Sequence, residues 1–115
     1  GERRVVLFRK GRGDRRVIVE EDARGTRFLL LGDNAVEHSE FAPSAPVGLT
    51  GRSWDAVALL EALLPSSEAA APIGLVGLGG GTAARILRSV APSRPLLAWE
   101  LCPTVLEAAR GYFGV

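Results

Sequence analysis

Four glycines and one glutamate are the residues of this chain whose types and spacing could do chemistry. Gly77, Gly79, Gly80 and Gly81 lie in the stretch Ile73-Gly74-Leu75-Val76-Gly77-Leu78-Gly79-Gly80-Gly81-Thr82-Ala83-Ala84-Arg85, which enters as an apolar run and leaves as an Ala/Leu/Arg-rich segment of helical character. The order is strand, tight turn, helix. Without a Cβ the backbone can take positive φ and lie against a ligand, while the first amides of the following helix point outward as donors without intrahelical partners. Glu100 is the second component. It ends another apolar run, Pro95-Leu96-Leu97-Ala98-Trp99, about twenty positions beyond the glycines, where a carboxylate can accept hydrogen bonds from ribose hydroxyls. Loop and acid form a two-point site that suits a nucleotide-like ligand.

The glycine spacing separates the classes that use such a site. A dinucleotide fingerprint places glycines at the first, third and sixth positions; counted from Gly77, the third is Gly79 and the sixth is Thr82. Gly77, Gly79 and Gly81 read instead as Gly-x-Gly-x-Gly, a spacing typical of S-adenosylmethionine-dependent transferases. Most methyltransferases of that class carry an acid two places before the first glycine, and here that place is Leu75.

The segment from Ile73 to Val115 resembles the spermidine synthase family and its spermidine-synthase-like methyltransferase relatives. In that family an apolar strand enters a Gly-rich loop with no acid before it, a second strand ends in Glu-(Ile/Leu)-Asp-Pro, and a helix closes on Ala-Arg-x-(Tyr/Trp)-Phe. The corresponding residues are Glu100-Leu101-Cys102-Pro103 and Ala109-Arg110-Gly111-Tyr112-Phe113. The resemblance implies an S-adenosylmethionine or decarboxylated S-adenosylmethionine cofactor, with the glycine loop holding its amino-acid end and Glu100 its ribose. It also implies a small-molecule acceptor of a methyl or aminopropyl group. Glu37 falls where the family carries a glutamine that touches the nucleoside. Methyl transfer is favoured, because the acidic elements of polyamine-making members are replaced by Ala42-Pro43-Ser44-Ala45-Pro46-Val47-Gly48-Leu49 and Gly80 stands in place of a loop aspartate. The family's catalytic aspartate falls beyond residue 115, so no catalytic residue is assigned.

The elements that must position these residues follow from local pattern. Arg4–Arg9, Arg16–Glu20 and Arg27–Leu31 are β-branched or aromatic runs separated by Gly11-Arg12-Gly13-Asp14 and Ala23-Arg24-Gly25-Thr26, which predicts antiparallel hairpins. The Arg-Gly-Asp triplet at 12–14 is read as a turn. Residues 31–41 are a turn followed by a short strand or extended piece. Ser53 to Leu64 is the clearest helix, capped by Ser53 and stopped by Pro65, with Val57, Leu60, Leu63 and Leu64 as a stripe facing the sheet. Trp54, where the family has a tyrosine, reads as an anchoring aromatic. Strand, helix and strand run from Ile73 to Glu100, with a helix over Thr82–Val90 carrying Arg85 and Arg88 on its polar side. Pro103 opens a last helix. The expected fold is α/β: a small N-terminal antiparallel β-meander over residues 1–50, a helix and linker over 51–72, and over 73–115 the first β-α-β-α units of a Rossmann-like class I methyltransferase fold, apparently truncated. In the family the N-terminal sheet aids oligomer contacts and covers part of the cleft.

Composition bounds the alternatives. With 14 Lys+Arg against 13 Asp+Glu and 47% apolar residues, the 115-residue chain has the balance of a soluble domain. Arginines crowd the N-terminal strands, but without interleaved aromatics they read as solvated strand ends, and neither nucleic acid nor membrane is an expected partner. Cys102 is the lone cysteine and His38 the lone histidine, so no internal disulfide and no metal site are expected, and a reducing, cytoplasmic setting is the default. Two other functions remain open: a non-catalytic relative or dimerising piece, expected as a homo-oligomer, and an NAD-type dinucleotide-binding domain.

Overall fold

The computed structural model describes residues 3–45, 48–63 and 71–115. Val17, Ile18 and Val19 are three β-branched residues in succession, so a strand that holds them needs cover on both faces. They lie in β2 (Val17–Asp22), the second strand of an antiparallel meander with β1 (Arg4–Lys10), β3 (Arg27–Leu31) and β4 (Val36–Phe41), in the spatial order of the chain. Register pairs Val19 with Leu29 and Ile18 with Leu30. Val17, Val19, Leu29 and Phe41 fill one core, and Ile18, Phe28 and Leu30 form a smaller cluster. Asp22 shapes the β2–β3 turn, its Oδ1 accepting from the backbone N–H groups of Arg24 (2.9 Å) and Thr26 (3.0 Å). The fourth strand, expected from sequence as a short strand or extended piece, pairs with β3 along its length except at His38. The Arg12-Gly13-Asp14 triplet enters a 3-10 turn over Gly13–Arg15.

The first core is closed by the C-terminal helix. α3 (Pro103–Tyr112) sends Val105 and Ala108 onto the sheet, and the following Phe113 is fully buried among Val17, Val19, Leu29 and Phe41. Burying a side chain of that size contributes roughly 1.5–3 kcal/mol. The Tyr112 hydroxyl donates to the Leu7 carbonyl at 3.3 Å, and its ring lies 5.7 Å from that of Phe8. The N-terminal sheet and the last helix therefore share one interior.

β5 (Ile73–Val76) and β6 (Leu96–Trp99) pair in parallel, Ile73 with Leu96 and Val76 with Trp99, joined by α2 (Thr82–Val90). The architecture is thus a mixed α/β domain with a four-stranded antiparallel sheet and a separate two-stranded parallel sheet. The helix expected over Ser53–Leu64 differs: Ser53–Ala58 is 3-10 and only α1 (Leu59–Leu63) is α-helical, while Leu64 lies outside the described residues. Asp55 gives the reason. Its carboxylate accepts from Thr50 N–H, Thr50 Oγ1–H and Gly51 N–H, each at 2.7 Å, so it holds the preceding loop, and neither Ser53 nor Arg52 caps the segment through a side chain. Leu63 is exposed, and the segment packs against α2 rather than a sheet. Trp54 is half-buried beneath the Arg52 guanidinium, 4.6 Å from its ring centroid. The expected linker falls largely outside the described residues. Among those described, no helix is long and apolar enough to cross a membrane.

Candidate functional site

The glycine loop leaves β5 and turns into α2 through positive φ at Gly77 (+91°), Gly79 (+56°) and Gly81 (+80°), the backbone region that only glycine occupies cheaply. Gly77 N–H donates to the Trp99 carbonyl at 2.8 Å, which extends the parallel ladder by one residue and brings the loop alongside the end of β6. There Glu100 closes the site. One carboxylate oxygen accepts Gly79 N–H at 2.9 Å and the other accepts Cys102 N–H at 3.1 Å. The two components expected from sequence are joined directly. Each oxygen of an ionised carboxylate has two acceptor positions, so both retain one for a vicinal diol. A Cβ built on Gly77 meets nothing within 4 Å, so the first part of the loop borders open space. These features fit a nucleoside.

The glycines do not all serve the same purpose. Gly80 is buried, its N–H donates to Ser39 Oγ at 2.8 Å, and a Cβ there would lie 2.7 Å from Ser39 Cβ and 2.9 Å from the Phe113 ring. It lets the loop lie against β4 and the end of α3. Thr82, at the sixth position from Gly77, is buried too; its Oγ1 accepts Glu40 N–H at 2.9 Å and lies 3.1 Å from the Glu40 carbonyl, to which it donates.

Glu37 sits elsewhere. Leu29 pairs with Ser39 and Leu30 with Glu37, so His38 is an extra residue, a β-bulge that turns Glu37 to the sheet face opposite Ser39. There Glu37 is bridged by Arg4 at 2.8 Å and Arg52 at 2.9 Å, and Arg4 also lies over the Phe28 ring. Burial works to raise its carboxyl, but hydrogen bonds from Arg4 and Arg52 and their charge outweigh that and hold it below the usual carboxylate range. Among the described contacts, none joins Glu37 to the glycine loop. His38 is exposed, and the described residues hold no group of side chains arranged for a metal ion. A cavity of about 710 Å³ opens between the 3-10 turn and the start of α3, floored by Val17, Leu31, Leu101 and Val105, with Cys102 on its wall. Neither Glu100 nor any of the loop glycines lines it.

Two residues of the site escaped the sequence reading. Ser39 looks like any polar strand residue until the loop is folded against it. Arg85, expected on the polar side of α2 with Arg88, turns inward instead: it donates to the carbonyls of Gly80 (2.7 Å), Phe113 (2.9 Å) and Glu40 (2.8 Å) and lies 4.6 Å over the Phe41 ring. Burial pulls its guanidinium down to about 10. Arg88 does remain exposed. The one local signal was spacing, because Arg85 stands one helical turn after Gly81.

Four cations of the N-terminal half meet acids: Arg4 with Glu37, Arg16 with Asp33, Arg27 with Glu21, and Lys10 with Glu107 from α3. No protein-family model and no curated protein matches the sequence.

Proposed function

We propose that this chain is the nucleoside-binding portion of an S-adenosylmethionine-dependent transferase similar to the spermidine synthase family, built on the opening units of a Rossmann-like sheet. The observation that carries the reading is the 2.9 Å hydrogen bond from Gly79 N–H to Glu100, which sets a left-handed glycine loop beside a carboxylate at the carboxyl ends of two parallel strands. A bound sulfonium nucleoside would supply an electrophilic carbon, which an acceptor's lone pair attacks as the C–S bond breaks and its electron pair returns to sulfur. The chain's own part is to bind and orient. Glu100 offers its free acceptor positions to the ribose, and Gly77 and Gly79 leave room for the rest. The acceptor is a small molecule, methyl transfer is favoured over aminopropyl transfer, and the compartment is the reducing cytoplasm.

The dinucleotide reading is weakened by Thr82, whose hydroxyl is spent on β4 where that class needs a glycine. A second reading, a non-catalytic or dimerising relative, draws on the Gly79 and Gly80 amides being satisfied internally by Glu100 and Ser39. Calorimetric titration with S-adenosylmethionine, its decarboxylated form and NAD separates the three. Binding of a sulfonium nucleoside that is lost in Glu100→Ala is the expected result. Silence from every ligand, for this chain and for any longer form of it, would leave the second reading standing.

A further inference from the structure

The geometry points to Arg85 as the positioning residue of the glycine loop, a clamp that fixes Gly80 so that Gly77 and Gly79 face the ligand and Glu100. Naming it a ligand loop rests on the function proposed above; the clamp itself rests on contacts. Gly80 is held at both of its polar groups, its N–H by Ser39 Oγ and its carbonyl by Arg85 Nη1. The same Nη1 donates to the Phe113 carbonyl just past α3, and Nη2 donates to the Glu40 carbonyl on β4. One planar fork thus ties the loop to two elements outside the parallel sheet, which a lysine, with a single nitrogen, cannot do in the same geometry. No carboxylate answers its charge among the described ion pairs. Three carbonyl oxygens and the face of Phe41 do so instead.

That arrangement makes the loop's position depend on a side chain that need not touch ligand. The next peptide shows how: Gly81 N–H donates to Leu78 O at 3.0 Å, closing a turn, and Arg85 N–H donates to Gly81 O at 2.9 Å. With Gly80 pinned between these turns and β4, Gly79 N–H is presented to Glu100. Released, the four glycines between residues 77 and 81 would sample the wide backbone space open to glycine, and the amide that meets Glu100 would be aimed only part of the time.

The test uses the full chain as Arg85→Lys and Arg85→Gln. Amide exchange by NMR is read at Gly79 and Gly80 and, as internal reference, at Val19 and Leu29; S-adenosylmethionine affinity is read by calorimetry. The expected result is exchange at the loop amides faster by roughly ten- to hundredfold, with Val19 and Leu29 unchanged, and affinity weakened by a similar factor, more for Gln than for Lys. Loop exchange equal to that of the parent chain would overturn the clamp, as would acceleration of loop and core together or loss of the fold in both variants, since each makes Arg85 a general scaffold residue. If the parent chain binds no S-adenosylmethionine, the proposed function fails while the exchange data still decide the role of Arg85.

Discussion

At residue 80 a methyl group would have to displace Ser39 or the Phe113 ring, both packed in the interior, so Gly80→Ala is expected to cost about 1–3 kcal/mol as overpacking. At residue 77 the space is open and the penalty is the left-handed backbone alone, about 1–2 kcal/mol. Urea midpoints of the two variants measure both, and Gly80→Ala should also loosen Phe113, visible as ring-proton shifts that Gly77→Ala lacks. Glu37 carries a pH effect whose sign follows from its partners. Its carboxyl in the folded chain titrates below the ordinary 4.5, so the stability that it adds is complete above that pH and is lost as pH falls through its lowered value. Unfolding midpoints measured from pH 6 downward should therefore fall, and Glu37→Gln should flatten that part of the decline. An unchanged slope in the variant would remove Glu37 from the acid response.

Gly111 is the position at which an element can be strengthened without touching the site. It lies in α3, is exposed, takes no positive φ, and a Cβ there meets nothing within 4 Å. Gly111→Ala should stabilise by about 0.5–1 kcal/mol, because the unfolded chain loses freedom that the helix never used; a thermal midpoint no higher than the parent's would contradict it. The same element shows what sequence can reveal. α3 was legible because Pro103 marks its first turn, and α2 because Gly81 precedes and Pro92 follows it; these are local signals. The pairing of Glu100 with the loop was legible for a similar reason, a fixed distance along a strand-turn-helix-strand unit. β4 was only half visible because the bulge at His38 breaks its alternation. The Ser53–Leu64 helix was overread because its apolar spacing is real, while the hydrogen bonds that commit Asp55 to Thr50 and Gly51 are not written in any period. Arg85 was missed since a cation on a helix normally faces water, and only the carbonyls of Gly80, Glu40 and Phe113, two of them far away in sequence, make the inward position favourable.

Across the whole molecule the two sheets are covered very differently. The meander has α3 on one face, whereas one face of the parallel pair is open: Gly74 and Val76 on β5 stand beside Leu97 and Trp99 on β6, and the Trp99 ring lies across Gly74, whose Cβ position is 3.4 Å from it. Val76 is 94% exposed, Trp99 58% and Leu97 52%. Parallel sheets are nearly always buried on both faces, and this patch carries no charge to keep another apolar surface away. An exposed apolar face of this kind favours self-association of the chain in water. Sedimentation velocity over a hundredfold range of concentration should show the mass rising above that of one chain, with Trp emission shifting to the blue as Trp99 leaves water. Leu97→Glu should abolish both changes while leaving the meander and its melting intact, because Leu97 is exposed and belongs to neither hydrophobic cluster. A mass that stays at one chain throughout, with Trp emission unshifted, would mean that the open face is tolerated in water. Nucleoside binding, if present, would then have to be built by each chain alone.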